Sequence, residues 1–501
     1  MNKNLFKKFF AFLMVAAMVF SMVACSSDSG SSDNDGKKKT EKEEEAPEVT
    51  KATSIQSDDL AYVMIYNPAI NVYKEYEEID GYNYSTGTLS DQIEVDMDRG
   101  DGLEEDTITL TSPLLNIEVD PSDLDLEANR GDNLGIEYSF GDTKEFFTYV
   151  NRSDNREKVE MTCVYEGEYC YVWNPGDYDD EILVEYGETF DEDIYGTLTD
   201  LFGEPRFVGE KGKVNIFFAS MNPNYGGCVL INEIYTSKEL PKADKYTLNT
   251  DHTIVYINGD YANNPANKEA MCSTIAHELQ HAVAGATGYT QDKSLSIWLN
   301  EAMSGYIERV LYGQDMKTEN VKDFNSSEVF RNGQSLYNFY QDQRDWGRYG
   351  IVYLFTEYLA DLTGEDIFSD IHAYWRNSYS DTLNEAEAFA NCVSKSAKKE
   401  INNSITYPEH IKFNNENEEF QSKLTLNFHL SVLAKELSAY KDVKPKYMVY
   451  DQYDDAVIEG GGRIIVAVNS DTFEIPEDAD EGLVYVGLDS DFNVVTDFIF
   501  S

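Results

Sequence analysis

Two histidines four residues apart, His277 and His281, are the feature that most constrains the fold of this chain. Positions i and i+4 of an α-helix lie on one face, one above the other. The stretch His-Glu-Leu-Gln-His therefore predicts a helix whose two imidazoles converge on a single Zn²⁺, with the carboxylate of Glu278 beside them. Only 6 of the 501 residues are His, so a chance match to this spacing is rare.

The flanking residues favour the same helix. Asn264 is a good N-cap residue, and Pro265 suits the first helical position. Neither Pro nor Gly interrupts residues 266–284, and Gly285 offers a left-handed stop. We therefore expect a helix over residues 266–284.

A hydrolytic zinc site needs a third protein ligand and an open position. Glu301 is the candidate, 20 residues after His281 on a second amphipathic run, residues 295–311. Two antiparallel helices with a short connection would bring this carboxylate opposite the His pair. Thr287 stands where a third His would be needed, and Asp292, which has no supporting pattern, stays an alternative ligand.

The stretch 277–281 (His-Glu-Leu-Gln-His), followed by residues 298–301 (Trp-Leu-Asn-Glu), resembles the motifs of the gluzincin superfamily of metallopeptidases. The chain most resembles the hyicolysin-like family of secreted bacterial peptidases. The resemblance covers roughly residues 185–380, which is under half of the chain. It implies a zincin-like fold for this part of the sequence.

The resemblance carries functional roles onto the matching positions. It implies that His277, His281 and Glu301 are the ligands of one Zn²⁺ per chain. It also implies that Glu278 is the general base, and then the general acid, of peptide-bond hydrolysis.

The resemblance further implies a tyrosine, after the metal helices, that stabilises the oxyanion. Tyr349 is expected on its spacing to residues 358–359 (Tyr-Leu), and Tyr353 stays an alternative. Some gluzincins place an Asp four residues after the ligand Glu to orient the first His, but Gly305 stands there, with Ser304 before it. The group that fixes the imidazole is therefore not predicted.

The substrate is expected to be a protein or peptide. The Gly-x-Met-Glu-Asn segment of the aminopeptidases is absent, residues 226–233 being a loose echo of it, and this favours an endopeptidase. Two strand-like runs, residues 214–219 and 253–258, precede the metal helix. An exposed strand edge can pair with an extended peptide, and we expect residues 253–258 to be that edge because they lead into the helix.

The sequence thus predicts a zinc-dependent endopeptidase with a Glu general base. The competing hypothesis is a surface adhesin or binding lipoprotein that keeps an inactive or structural metal site. Glu278 argues against that hypothesis, because a structural site has no use for a base.

The N-terminus predicts the compartment. A basic start is followed by the apolar residues 9–23, a run too short for a comfortable membrane span. Residues 22–25 (Met-Val-Ala-Cys) resemble the end of a bacterial lipoprotein signal, although an ordinary cleaved signal stays an alternative. We expect a signal peptide over residues 1–24, a lipid on Cys25 that anchors the protein outside the cytoplasm to the bacterial cell membrane, and a disordered tether over residues 25–50.

The net charge of the chain is −52, from 40 Lys and Arg against 92 Asp and Glu. This balance argues against a nucleic-acid partner, because the phosphate backbone would repel the protein. The Asp-rich segment 96–106 offers oxygen ligands for Ca²⁺, but Gly100 stands where the EF-hand spacing requires an oxygen. Calcium is therefore a weaker expectation than zinc.

A chain of 501 residues is too long for one domain, and we expect a multidomain protein. Residues 51–184 predict an N-terminal β-rich, β-sandwich-like module. Residues 185–400 predict the central α+β, zincin-like metallopeptidase domain. Residues 401–501 predict a small C-terminal mixed α/β module. Its expected elements are a helix over residues 420–437 and strands over residues 463–468, 483–486 and 492–499.

The cysteines leave two expectations. Cys163 and Cys170 flank a predicted hairpin turn, so a local disulfide between them is open. Cys272 lies on the metal helix away from the ligand face, and we expect it to pack in the core.

Overall fold

The computed structural model describes residues 54–70, 73–79, 82–89, 92–95, 135–208, 212–223, 225–234, 248–291, 295–313, 333, 335–337, 347–378, 384–434, 437, 456–476, 479–480 and 482–501. The predicted signal peptide, Cys25, the tether, the calcium segment 96–106 and Asp292 lie outside these residues.

The strands of the described chain fall before, between and after its helices. In chain order they are β1 (Ser54–Gln56), β2 (Tyr62–Tyr66), β3 (Tyr73–Ile79), β4 (Tyr82–Leu89), β5 (Gln92–Val95), β6 (Thr143–Tyr149), β7 (Arg156–Glu166), β8 (Cys170–Asn174), β9 (Val214–Ala219), β10 (Gly227–Cys228), β11 (Ile254–Asn258), β12 (Ala456–Glu459), β13 (Arg463–Ala467), β14 (Thr472–Glu474), β15 (Val484–Leu488) and β16 (Ile499–Phe500).

The helices follow the same order. They are α1 (Asp180–Thr189), α2 (Tyr195–Phe202), α3 (Gly259–Ala262), α4 (Lys268–Gln291), α5 (Ile297–Tyr312), α6 (Gly347–Thr363), α7 (Ile367–Asn377), α8 (Glu385–Cys392), α9 (Lys395–Asn402) and α10 (Glu416–Leu433). A π-helical turn, Phe190–Ile194, joins α1 to α2, and 3₁₀ turns occupy Ile231–Ile234 and Pro265–Asn267.

A six-stranded sheet, in the order β10-β11-β9-β8-β7-β6, organises the centre of the protein. The pairs β11–β9 and β9–β8 are parallel, and the others are antiparallel. Every residue of β8, β9 and β11 is buried. Such unbroken apolar strands are typical of a sheet that is covered on both faces.

The two faces of this sheet belong to different cores. Ile216 and Val255 pack with the helices, among them Leu279 of α4 and Trp298 of α5. Phe217, one residue further along β9, points to an aromatic cluster on the other face. Because side chains alternate along a strand, β9 contributes to both cores.

Helix α4, which carries the His-Glu-Leu-Gln-His motif, begins as predicted and ends later. The side chain of Asn264 accepts a hydrogen bond from the Ala266 amide at 3.1 Å, and Pro265 begins the 3₁₀ turn that leads into the helix. The helix then continues through Gly285 to Gln291, so the predicted stop was wrong. A helical Gly costs only about 1 kcal/mol, and buried neighbours such as Ala286 compensate for it.

A second sheet joins the two ends of the described chain. Its order is β13-β2-β15-β16, so the N-terminal strand β2 lies between two C-terminal strands. Helix α10 packs on this sheet through Leu426 and Leu430, while Phe428 faces the helical core. The expected strand over residues 492–499 was wrong, because the strand there is limited to β16.

The sheets cross the domain boundaries that the sequence suggested. Strands β6, β7 and β8 precede residue 184 but belong to the same sheet as β9. Strand β2 likewise belongs with the C-terminal strands rather than with a separate N-terminal sandwich. The described protein is of mixed α/β type, and its pairing is long-range, which local sequence patterns do not reveal.

Cys163 and Cys170 are free thiols, so the disulfide that their spacing allowed is absent. Cys163 pairs with Trp173 and joins the aromatic cluster, whereas Cys170 pairs with Val214 on the helical side. The two side chains therefore point to opposite faces of the sheet. Cys272 is buried in the helical core, as expected. Within the described part of the chain, no helix combines the length and apolar composition needed to cross a bilayer.

Alkylation of the unfolded protein without reductant tests this thiol assignment. We expect Cys163 and Cys170 each to carry the alkyl group in separate peptides, because both are reduced in the folded protein. Peptide mapping by mass spectrometry gives the measurement. A peptide pair linked through these two residues would contradict the structure.

Candidate metal centre

The two imidazoles of α4 and one carboxylate of α5 meet at a single point. His277 Nε2 lies 3.1 Å from His281 Nε2 and 3.2 Å from a Glu301 oxygen. His281 Nε2 lies 3.7 Å from the other Glu301 oxygen. Among the described residues, these three are the group whose His, Cys, Asp or Glu ligand atoms could hold a metal ion.

These separations fit one tetrahedral zinc ion. Bonds of about 2.0–2.1 Å at tetrahedral angles place the ligand atoms about 3.3 Å apart. The distances of 3.1 and 3.2 Å from His277 Nε2 match that value, and two imidazoles with one carboxylate are a donor set suited to zinc. The predicted third ligand, Glu301, is thus in place.

Helices α4 and α5 run antiparallel, which brings the ligands together. Ser273, early in α4, bonds to Glu308, late in α5. His281, two turns further along α4, contacts Ser304 instead. The opposite directions of the two helices let a carboxylate of α5 face both imidazoles, as the sequence suggested.

Glu308, which was not predicted from the sequence, fixes the ring of His277. One oxygen of Glu308 lies 2.9 Å from His277 Nδ1, and the other accepts from the Ser273 hydroxyl at 2.9 Å. Glu308 is seven residues after Glu301, which is two helical turns, so both carboxylates project from one face of α5. That spacing was the available signal, and Glu308 replaces the Asp that some gluzincins have at the position of Gly305.

Ser304 fixes the tautomer of His281. Its hydroxyl lies 3.1 Å from His281 Nδ1 and donates to the Gln280 side-chain oxygen at 2.5 Å, with the Asn300 carbonyl as a second acceptor. The single hydroxyl proton is directed to these acceptors, so the oxygen accepts from an Nδ1–H of His281. The Nε2 lone pair of His281 then faces the metal position.

The electrostatics of the ligands favour a positive charge at their centre. Burial opposes protonation of His277, but Glu308 and Glu301 outweigh it and raise the pKa of this ring to about 10. Burial lowers the pKa of His281 to about 4, so this imidazole stays neutral. With both Nδ1 atoms carrying hydrogen, two Nε2 lone pairs and a carboxylate converge. This arrangement requires a cation, either a proton or a metal ion.

Glu278 lies beside the ligands in a buried environment. Burial raises the pKa of its carboxyl to about 8, although His277 opposes the shift. Its Oε2 atom is buried and accepts no hydrogen bond from the described residues. A buried carboxylate oxygen with no bonding partner is costly, so this atom is suited to a ligand that arrives from outside the protein.

Tyr349 lies in the first turn of α6, and the same carboxylates influence its pKa. Burial raises its pKa well above the usual value, and Glu301 and Glu278 raise it further. After burial, the main influences on the pKa of Tyr353 are Glu357 and its hydrogen bond to that carboxyl. Of the two tyrosines proposed from the sequence, Tyr349 is therefore the one whose pKa responds to Glu278.

The sheet edge beside the site is β10, so the prediction for residues 253–258 was wrong. Strand β11 lies between β10 and β9. The Asn258 amide donates to the Gly226 carbonyl, and hydrogen bonds alternate along antiparallel strands, so the N–H and C=O of Gly227 point to the open edge. A Cβ on Gly227 would lie 3.1 Å from Glu278 Cγ, which shows how closely this edge approaches the site.

Comparison with known proteins supports the metallopeptidase class. The neutral metalloprotease ShpI of Staphylococcus hyicus is 26% identical over 281 residues, which are 54% of this chain and 61% of that protein. The resemblance to the hyicolysin-like metallopeptidases is thereby confirmed. The chain aligns with less than two thirds of the length of this relative.

Two other comparisons do not define the fold or the family of the chain. The structure of native yeast LTA4 hydrolase matches with a TM-score of 0.32 and 12% identity, over 76% of this chain and 68% of that one. A TM-score of this size does not define a shared fold. No protein-family model matches the chain.

Replacing Glu308 tests how the site holds its metal. Glu308→Gln removes the negative charge that holds the Nδ1–H of His277, and we expect zinc affinity to fall by about 10- to 100-fold. Competition against a chromogenic chelator gives the affinity. Glu365→Gln is the matched control, because Glu365 is an exposed carboxylate that pairs with Arg309, the residue after Glu308 on α5. Equal zinc affinity in Glu308→Gln and the control would contradict the assignment.

Proposed function

We propose that this protein is a zinc-dependent endopeptidase. The observation that carries the proposal is the meeting of His277, His281 and Glu301 at the spacing of one tetrahedral ion, with the carboxylate of Glu278 beside them. A zinc ion held there would lower the pKa of a coordinated water from about 15.7 toward about 7 and polarise the scissile carbonyl.

Glu278 is the proposed general base and acid. A zinc ion beside Glu278 would favour the ionised form of its carboxyl over the protonated form that burial favours. The carboxylate then takes a proton from the attacking water as the water oxygen bonds to the carbonyl carbon. It then gives this proton to the amine nitrogen as the carbon–nitrogen bond breaks. The buried Oε2 atom, with no partner among the described residues, is free to accept that proton.

Tyr349 is the proposed donor to the oxyanion. Negative charge develops on the carbonyl oxygen as water attacks, and a fixed O–H group lowers its energy most in a buried site. Burial raises the pKa of Tyr349, Glu301 and Glu278 raise it further, and the hydroxyl therefore stays protonated. A protonated phenol is the form that can donate.

The substrate proposed for this site is an extended segment of a protein or peptide. The outward-facing N–H and C=O of Gly227, at the edge of β10 that pairs with no other described strand, are the groups that would pair with the substrate backbone. Pairing along an edge does not require a chain end. Together with the missing amine-recognition segment, this supports internal cleavage rather than removal of terminal residues.

The proposed location is outside the cytoplasm, at the bacterial cell membrane, with Cys25 as the lipid attachment site. The N-terminal sequence supports this proposal. The alternative function, a binding lipoprotein with a structural metal site, does not explain why a buried carboxylate such as Glu278 lies beside the ligands.

Replacing Glu278 tests the catalytic assignment. Glu278→Gln preserves the shape of the side chain but cannot accept a proton, so we expect one zinc per chain and a loss of casein cleavage by about 100- to 10,000-fold. Zinc is measured by elemental analysis and cleavage by release of labelled peptides. Glu269→Gln, the same change on an exposed position of α4, is the matched control. Undiminished cleavage in Glu278→Gln would remove this residue from its role.

Replacing the two tyrosines of α6 distinguishes the oxyanion donor. Tyr349→Phe removes one hydroxyl near Glu278, and we expect kcat to fall by about 100- to 1,000-fold with little change in KM. Tyr353→Phe should have a much smaller effect, because its hydroxyl bonds to Glu357. Steady-state kinetics with a quenched fluorescent peptide give both constants. A larger loss of kcat in Tyr353→Phe would transfer the role to that residue.

A further inference from the structure

A buried ion pair, whose members are not among the three proposed metal ligands, joins helix α5, which carries Glu301, to helix α6, which carries Tyr349. Arg309 of α5 pairs through Nε with a carboxylate oxygen of Glu357 on α6. The side chain of Glu357 is 0% exposed and that of Arg309 is 11% exposed. The guanidinium also bonds to Glu365, just beyond α6, where one N–O distance is 3.1 Å.

The ion pair is expected to add little to the free energy of unfolding. Removing two charges from water costs hydration free energy, and their mutual attraction does not fully offset that cost. Proteins with apolar replacements of similar size are often equally stable. What such a pair supplies is selectivity for one arrangement of the helices, because a shift would leave a buried charge without its partner.

The pair and the site are matched in spacing along the two helices. On α5, Arg309 is eight residues after the ligand Glu301, and on α6, Glu357 is eight residues after Tyr349. Eight residues rise about 12 Å. The bond between Arg309 and Glu357 fixes one point of α6 against α5, and Tyr349 lies eight residues before that point on α6. A slip of α6 by one turn, about 5.4 Å, would carry the phenol away from the site.

Two adjacent residues of α5 therefore contact both the metal-ligand helix α4 and the tyrosine helix α6. Glu308 fixes the ring of His277, and the next residue, Arg309, forms the ion pair with Glu357 of α6. Tyr353 contributes from the α6 side, because its hydroxyl bonds to Glu357 and it lies in the field of Glu308.

We propose that Arg309 and Glu357 are positioning residues, which hold the register of α6 against α5 so that the Tyr349 hydroxyl stays at the reacting carbonyl. This inference rests on the proposed function. It adds two residues that position the Tyr349 hydroxyl at that site. The pair does not touch substrate or metal, and it acts through Tyr349.

The test replaces both charges at once. The double variant Arg309→Met/Glu357→Leu keeps volume and removes both charges of the pair together, so it should fold and bind one zinc per chain. We expect kcat to fall by about 10- to 100-fold at nearly constant KM, because a small displacement of a donor costs rate rather than substrate binding. Full-length protein, a quenched fluorescent peptide, elemental analysis and thermal unfolding give the four readouts. Glu365→Gln, which removes the exposed partner of the same guanidinium, should leave kcat unchanged.

A Tyr349→Phe background separates positioning from a general loss of structure. If the pair acts through the Tyr349 hydroxyl, adding Arg309→Met/Glu357→Leu to Tyr349→Phe should cause little further loss of kcat. Equal fold-losses in the two backgrounds, or wild-type kcat in the double variant, would overturn the proposal. Glu357→Gln, which keeps the shape and one acceptor for Arg309, is measured in the same cycle and carries the test if the double variant does not fold.

The proposed function fails separately from this inference. A wild-type protein that holds zinc and cleaves neither casein nor the peptide would refute the endopeptidase. A wild-type protein that cleaves, with pair variants that match it, would refute only the positioning role.

Discussion

The convergence of two imidazole lone pairs and a carboxylate on one buried point is the constraint on which the rest of the structure depends. His277 and His281 lie 3.1 Å apart at Nε2, and Glu301 completes the group. Lone pairs at this distance repel each other unless a cation lies between them. The antiparallel packing of α4 and α5, and the bonds from Glu308 and Ser304 that direct both rings, serve to create this arrangement.

In the proposed function, the surrounding fold also supplies an edge that pairs with substrate and a donor to the oxyanion. The six-stranded sheet ends at β10, so the backbone of Gly227 faces outward next to Glu278. Helix α6 carries Tyr349, whose pKa is raised by burial and by the carboxylates of the site. Water, substrate carbonyl and leaving amine would therefore meet groups that are fixed before the substrate arrives, which lowers the cost of reaching the transition state.

The sequence predicted that His277, His281 and Glu301 would meet, because the motifs that carry them are local and helical. The i, i+4 pair and the Trp-Leu-Asn-Glu stretch needed no knowledge of the fold, and Glu308 was detectable in principle from its seven-residue spacing to Glu301. Strand partners were not predictable in this way. The placement of β2 between C-terminal strands and of β11 inside its sheet is set by long-range contacts, and so are the domain boundaries. The prediction that α4 stops at Gly285 was wrong, because packing outweighs the preference of Gly to end a helix.

The most direct test of the account locates the metal itself. Anomalous diffraction at the zinc absorption edge, from crystals of the protein purified without added chelator, shows where the ion lies. The account predicts one strong peak at about 2.0–2.2 Å from His277 Nε2, His281 Nε2 and a Glu301 oxygen. A fully loaded protein whose zinc peak lies elsewhere, or a peak that Glu301 does not approach, would contradict it.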